Sequence, residues 1–261
     1  MKVQDITNRF EEFAPKKLAF PGDPIGLQIG NLNQEISKIL VTLDVRPNVV
    51  EEAIKNGCNM IFSHHPVMFR PVKNLDLTIA QNKMYADIIK NNITVYSAHT
   101  NLDVVEGGMN DWLADEIGLI QKTNLETSSG SIGKFGILRS KVSIVNFSKF
   151  LKKQFNLDGI RVISDSYDRD IQKVAVIGGD GGKFYPEVVA QNCDAFITGD
   201  VYYHTGHDME SEGLSVFDVG HNVEKICIPK LSQLFKQWKN EEQWNIEIVE
   251  SKVNTNPYRF F

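Results

Sequence analysis

Cysteine is scarce in this chain. Cys58, Cys193 and Cys227 are the only three in 261 residues; they lie far apart and form no C-x-x-C pair. That set argues against a disulfide framework and fits a reducing compartment. The role expected of all three is that of small buried hydrophobes. Long apolar runs are missing too: nothing approaches the roughly 20 apolar residues that span a bilayer. Met1-Lys2-Val3-Gln4-Asp5-Ile6 has no apolar core of a secretory leader. A cytoplasmic protein without a membrane span is therefore expected. Positive charge is also short, with 28 basic against 33 acidic residues and a net charge of −5. This provides no basic footprint for nucleic acid and lowers that expectation. There is no G-x-S-x-G elbow, and no cysteine stands near a histidine with a plausible orienter, which disfavours a nucleophile triad.

Histidine is present, and it is sorted. All six fall in four segments: Ser63-His64-His65-Pro66; His99-Thr100-Asn101-Leu102-Asp103; Gly199-Asp200-Val201-Tyr202-Tyr203-His204 with His207 just beyond; and Gly220-His221-Asn222-Val223-Glu224. His64, His65, His99 and His221 follow short apolar runs ending in a small residue, where a strand stops and a ligand site begins. Imidazole and carboxylate together suit divalent zinc, iron, manganese or nickel. The pattern points to a metal centre.

Apolar runs alternate with helical patterns, the mark of βαβ units and a mainly parallel sheet. Strands are expected at 39–45, 59–63, 94–97, 135–139, 160–164, 173–177, 194–198, 214–219 and near 244–249. Helices are expected at 47–56, 78–91, 108–117, 143–155, 185–191, 203–212 and from about 222 to 239. The polar stretch 121–133 is the best candidate for a junction, giving lobes of 1–125 and 126–261 with no large inserted domain. A faint repeat links them, since Asn59 to His65 follow Cys58 as Asp194 to Asp200 follow Cys193. The expected fold is thus α/β, two related three-layer lobes with mainly parallel sheets and a metal site in the crevice between them, at the carboxyl ends of the strands.

Within the segments, Pro66 fixes the turn after His64 and His65, so the two rings can serve different metals or opposite sides of one pair. Asp103 is the better ligand candidate of its segment, because a carboxylate can bridge two cations, with His99 orienting a ligand or water. Helix capping is the plainer role for Asp103. His221 and Glu224, three apart on a first helical turn, share a face. The turn Gly178-Gly179-Asp180-Gly181-Gly182-Lys183 fails the Walker and G-x-G-x-x-G patterns; close backbone approach and an anion nest are equal alternatives. Asp200, Tyr203 and His204 are catalytic or supporting candidates, with capping by Asp200 and a satisfied core role for His204 at least as plain; His207 reads as helix surface.

At these residues the chain resembles the GTP cyclohydrolase I type 2 homologue family, also called the Nif-three-like family. The match spans Ser63-His64-His65-Pro66, Ala98-His99-Thr100-Asn101-Leu102-Asp103, Thr198-Gly199-Asp200 with Tyr203-His204, and Gly220-His221 with Glu224. The resemblance implies a dinuclear centre with ligands at His64, His65, Asp103, His221 and Glu224, in a toroidal homohexamer with a nucleotide as possible ligand. Gly22-Asp23-Pro24-Ile25-Gly26-Leu27 keeps only the aspartate and the Gly-Leu of the family's Trp-Asp-Asn segment, and Ser131 stands where an arginine is common. The insert of about a hundred residues carried by longer relatives is missing. The function expected is a metal-dependent hydrolase acting on a nucleotide through an activated water, with His99 or His204 moving the proton. The alternative is a non-catalytic metal-binding regulatory or scaffold hexamer.

Overall fold

The computed structural model describes residues 1–128 and 130–261. In chain order come helix α1 (Val3–Phe13), strands β1 (Gly26–Ile29) and β2 (Lys38–Thr42), α2 (Pro47–Lys55), β3 (Met60–Ser63), α3 (Ala80–Lys90), β4 (Thr94–Ser97) and the short α4 (Thr100–Val104). Next are α5 (Met109–Ile117), β5 (Ile120–Thr127), β6 (Gly130–Ser143), α6 (Ile144–Gln154), β7 (Arg161–Ile163), β8 (Asp170–Val176) and α7 (Tyr185–Ala190). The last are β9 (Ala195–Thr198), α8 (Tyr203–Ser211), β10 (Ser215–Asp218), α9 (Cys227–Glu241) and β11 (Glu247–Glu250). No helix among the described residues is long and apolar enough to cross a membrane.

Two compact units result, Met1–Val105 with Lys225–Thr255, and Glu106–Glu224 with Asn256–Phe261. This division differs from the sequential one expected at residue 125. The chain returns to its starting unit because β11 pairs in parallel with β2, Ile248 opposite Ile39, with α9 packed along both strands. The stretch expected as a junction is instead most of an antiparallel hairpin, β5 with β6. Its polar composition has a simple cause: β5 is an edge strand exposed along nearly its whole length, so neither face asks for apolar residues. Ser129, inside that stretch, lies outside the described residues.

The first unit holds a five-stranded sheet in the order β1-β4-β3-β2-β11, parallel except for β1. Side chains alternate across it. Leu40, Ile61 and Val95 face one way and pack with Val49, Val50 and Ala53 of α2 and Met84, Tyr85 and Ile88 of α3. Phe62 and Tyr96 face the other way. There Phe10 of α1 and Phe235 of α9 each meet Phe62 edge-on at 4.8 Å. Helices therefore cover both faces, giving the expected three layers.

The second unit holds a six-stranded sheet, β5-β6-β8-β9-β10-β7. Only its centre, β8-β9-β10, is parallel; the other three pairings are antiparallel. Phe147 of α6 packs edge-on against Phe217 of β10 at 5.1 Å. The two matching segments share local contacts. Asn59 Oδ1 accepts the Ser37 and Lys38 amides at 3.1 and 3.2 Å, and Asp194 Oδ2 accepts the Gln172 and Lys173 amides at 2.8 and 2.7 Å. The preceding helices both end on a left-handed residue, Gly57 (φ 67°) and Asn192 (φ 52°). Each is followed by a cysteine whose amide closes the helix, Cys58 onto Ala53 O and Cys193 onto Val188 O.

Candidate metal centre

In the first unit, Thr42, Ser63 and Ser97 stand side by side as the last residues of β2, β3 and β4. Because those strands run parallel, the residues just past their ends all emerge at one edge of the sheet: Leu43-Asp44, His64-His65 and Ala98-His99. The three imidazoles cluster, with ring centroids 4.9, 5.3 and 5.6 Å apart. Each offers a nitrogen within 4.8 Å of the others, a group able to hold a metal ion.

Each ring has its Nδ1 engaged. His64 is fully buried and places Nδ1 2.8 Å from Ala98 O. A carbonyl only accepts, so Nδ1 carries a hydrogen and Nε2 is the nitrogen turned toward Asp103. His65 Nδ1 lies 2.7 Å from Asp44 Oδ1, and the Thr255 hydroxyl donates to the other oxygen of Asp44. His99 Nδ1 lies 2.9 Å from Asp23 Oδ1, while the Thr100 amide and hydroxyl donate to Asp23 Oδ2. Burial disfavours charge on His99, but the Asp23 hydrogen bond and the charges of Asp103 and Asp23 outweigh it and hold its pKa above the usual value. Burial likewise opposes the Asp23 charge; the bonds from His99 and Thr100 prevail and keep its pKa low. Asp103, on α4, sets Oδ1 3.5 Å from His64 Nε2.

In the second unit, Gly199-Asp200 comes directly after β9, and Gly220-His221 lies just beyond β10. His221 repeats the pattern: Nδ1 lies 2.8 Å from Asp200 Oδ2 and Nε2 lies 3.2 Å from Glu224 Oε2. Glu224 is 3% exposed. The buried Asp218 ties the two loops, accepting the Val201 amide on Oδ2 and the Gly220 amide on Oδ1, both at 3.0 Å. Asp200 (φ 52°) and Gly220 (φ 76°) take the left-handed turns this needs. Ligands about 2.0–2.2 Å from a tetrahedral ion sit about 3.3–3.6 Å apart. His64 with Asp103, and His221 with Glu224, come close to that spacing in each unit.

A family model, Duf34/NIF3 (NGG1p interacting factor 3), matches residues 1–257. The chain belongs to the Duf34/NIF3 family. A curated relative in Streptococcus pneumoniae, named GTP cyclohydrolase 1 type 2 homolog, is 38% identical over 263 residues, covering 99% of each chain. A Listeria innocua relative of the same name is 31% identical over 366 aligned positions, covering 98% of each; the extra length fits the missing insert. The crystal structure of a Bacillus cereus protein related to NIF3 superposes with a TM-score of 0.96 at 28% identity, covering 100% of this chain and 99% of that one.

In this Duf34/NIF3 chain the glycine turn is close packing around Glu224. A Cβ on Gly178 would come within 2.9 Å of Glu224 Oε1, and one on Gly179 within 2.8 Å of that atom and 3.1 Å of His221 Nε2. Gly178 N donates to Asn110 Oδ1 and Gly181 N to Thr198 Oγ1, so these two amides of the turn serve the fold. His204 is exposed at the start of α8, with Tyr202 and Tyr203 as ring neighbours at 5.6 and 5.3 Å. No metal-capable group among the described residues includes it. His207 is exposed on the same helix, as expected. Sequence reasoning missed Asp44 as the partner of His65, and Asp23 as that of His99. Asp44 had one readable signal, a carboxylate just beyond an apolar strand.

Proposed function

We propose that the chain is a metal-dependent hydrolase of the GTP cyclohydrolase 1 type 2 homolog kind, acting on a nucleotide. His64, His65, Asp103, His221 and Glu224 would hold two divalent cations per chain. One observation carries the reading: the four imidazoles at strand ends all engage Nδ1, with Ala98 O, Asp44, Asp23 and Asp200. Carbonyl or carboxylate partners of this kind fix a metal-binding histidine and raise its basicity at the other nitrogen. The glycine cradle around Glu224 fits such ions as well, and so do the His64–Asp103 and His221–Glu224 spacings. Zinc, iron, manganese and nickel all suit this donor set.

When bound, a pair of such ions lowers the pKa of a water and supplies a nucleophile near neutral pH. The chain's own residues do the rest. Asp44, Ala98 O and Asp200 aim the Nε2 atoms of His65, His64 and His221, and Asp218 holds the turn on which His221 stands. Asp23 grips His99 at Nδ1, so proton transfer to a leaving group falls to His99 Nε2. His204 is the other proton carrier proposed, and the exchange His204→Ala separates the two. Assembly as a ring-shaped homohexamer belongs to the same reading and is checked by sedimentation.

The test pairs metal analysis with turnover on a panel of nucleotides. His64→Ala and Glu224→Ala should lose metal while keeping the circular dichroism spectrum of the parent. Parent-like metal content in both variants would remove the ligand assignment. Full metal loading with no turnover on any nucleotide would favour the non-catalytic scaffold instead.

A further inference from the structure

A cleft of about 480 Å³ opens in the first unit, with His65 and Asp44 in its wall. That volume falls within the range of small-molecule sites. Arg46, Arg70 and Lys73 line the same cleft. In a chain of net charge −5, none of these three cations has an ion-pair partner among the described residues. The carboxylate in the lining, Asp44, is engaged by His65 and the Thr255 hydroxyl.

The wall is braced from behind. The segment bearing Arg70 and Lys73 is held by the Tyr85 hydroxyl on Val67 O at 3.0 Å and by Asn82 Nδ2 on Asp76 O at 3.0 Å and Asn74 Oδ1 at 3.2 Å. Arg46 comes from a different element, immediately before α2. Phe69, 63% exposed, lines the cleft 6.1 Å from the His99 ring, an aromatic face on which a planar group can stack.

We propose that Arg46, Arg70 and Lys73 form an oligophosphate subsite that anchors a phosphorylated small molecule beside His65. Set against the one carboxylate of the lining, Asp44, the three cations leave two positive charges in excess. That excess calls for a multiply charged anion, since a lone carboxylate would leave one of them unmatched. Guanidinium groups grip phosphate oxygens through paired hydrogen bonds. The fate of the anchored molecule rests on the proposed metal-dependent hydrolase; its capture rests on the cations alone.

Calorimetry with inorganic tripolyphosphate tests the subsite, using the full-length chain both as purified and after chelator treatment, with metal content measured in parallel. The parent should bind in both states. Arg46→Gln or Arg70→Gln should each weaken binding about tenfold or more, and the triple change with Lys73→Gln should abolish it. Changing Lys149, Lys152 and Lys153 of α6 to Gln removes the same charge elsewhere and should leave affinity intact. The subsite is overturned if the cleft triple variant binds like the parent, if the α6 control weakens binding equally, or if the metal-loaded parent ignores tripolyphosphate. A parent that binds tripolyphosphate through the cleft yet never loads metal would support the subsite while removing the hydrolase.

Discussion

The ends of β3 and β9 are built alike and used differently. Both strands follow a helix closed by a left-handed residue and a cysteine, and both begin beside a side chain that caps the neighbouring strand. Beyond the strand, the first unit places His64 and His65 where the second places Gly199 and Asp200. One copy thus presents two imidazoles; the other presents a glycine without a side chain and a carboxylate that orients His221. The repeated scaffold fixes where a strand ends, and the residue just past the end decides what chemistry appears there.

The sharpest way to break this comparison is at Gly199. A Cβ there would sit 2.8 Å from both Gly220 C and His221 N, backbone atoms that cannot step aside. Gly199→Ala should destabilise the fold by about 3 kcal/mol through overpacking, read as a lower urea midpoint. Position 64, in contrast, already accommodates a whole buried imidazole. Next come the carboxylates behind the rings. Asp44→Ala and Asp200→Ala should each lower metal affinity by roughly 10–100-fold, measured by competition with a chelator, and equal losses would show that both copies aim their histidines the same way.

The strand caps should give smaller, matched effects. Asn59→Ala and Asp194→Ala each strand two backbone amides, and about 1–2 kcal/mol of stability should go with each in denaturant titrations. A large cost at one position and none at the other would mean the repeat is only apparent. The mildest difference concerns Cys58 and Cys193. Burial pushes both thiols up to about 11, against nearby lysines that pull the other way. At pH 8 only about one thiolate in a thousand should be present, so alkylation should be slow for both and quicken about tenfold per pH unit.

Much of this was legible in the sequence because it is local. The apolar runs before His64, His99 and His221 are strands that end within a residue or two of the expected place, and the helices between them fall close to expectation. One missed element, α1, is local and patterned, with Val3, Ile6 and Phe10 buried at helical spacing. The other features that escaped notice are non-local or unpatterned. The return of β11 to β2 joins residues about two hundred positions apart, and nothing in either segment announces the pairing. The β5–β6 hairpin hid as a junction because an exposed edge strand has no apolar alternation to read. Asp23 lies 76 positions from His99, so only the fold shows that it holds that ring. Cys193 is half-exposed rather than buried like Cys58 and Cys227, a distinction that residue type alone does not carry.

A crystal structure of the protein as purified, with anomalous scattering recorded at transition-metal edges, puts the shared design to its hardest trial. Two ions bound to Nε2 of His64, His65 and His221, with Nδ1 still on Ala98 O, Asp44 and Asp200, are the expected result. Ions held through Nδ1 with those partners displaced, or no ion near these histidines at all, would contradict it.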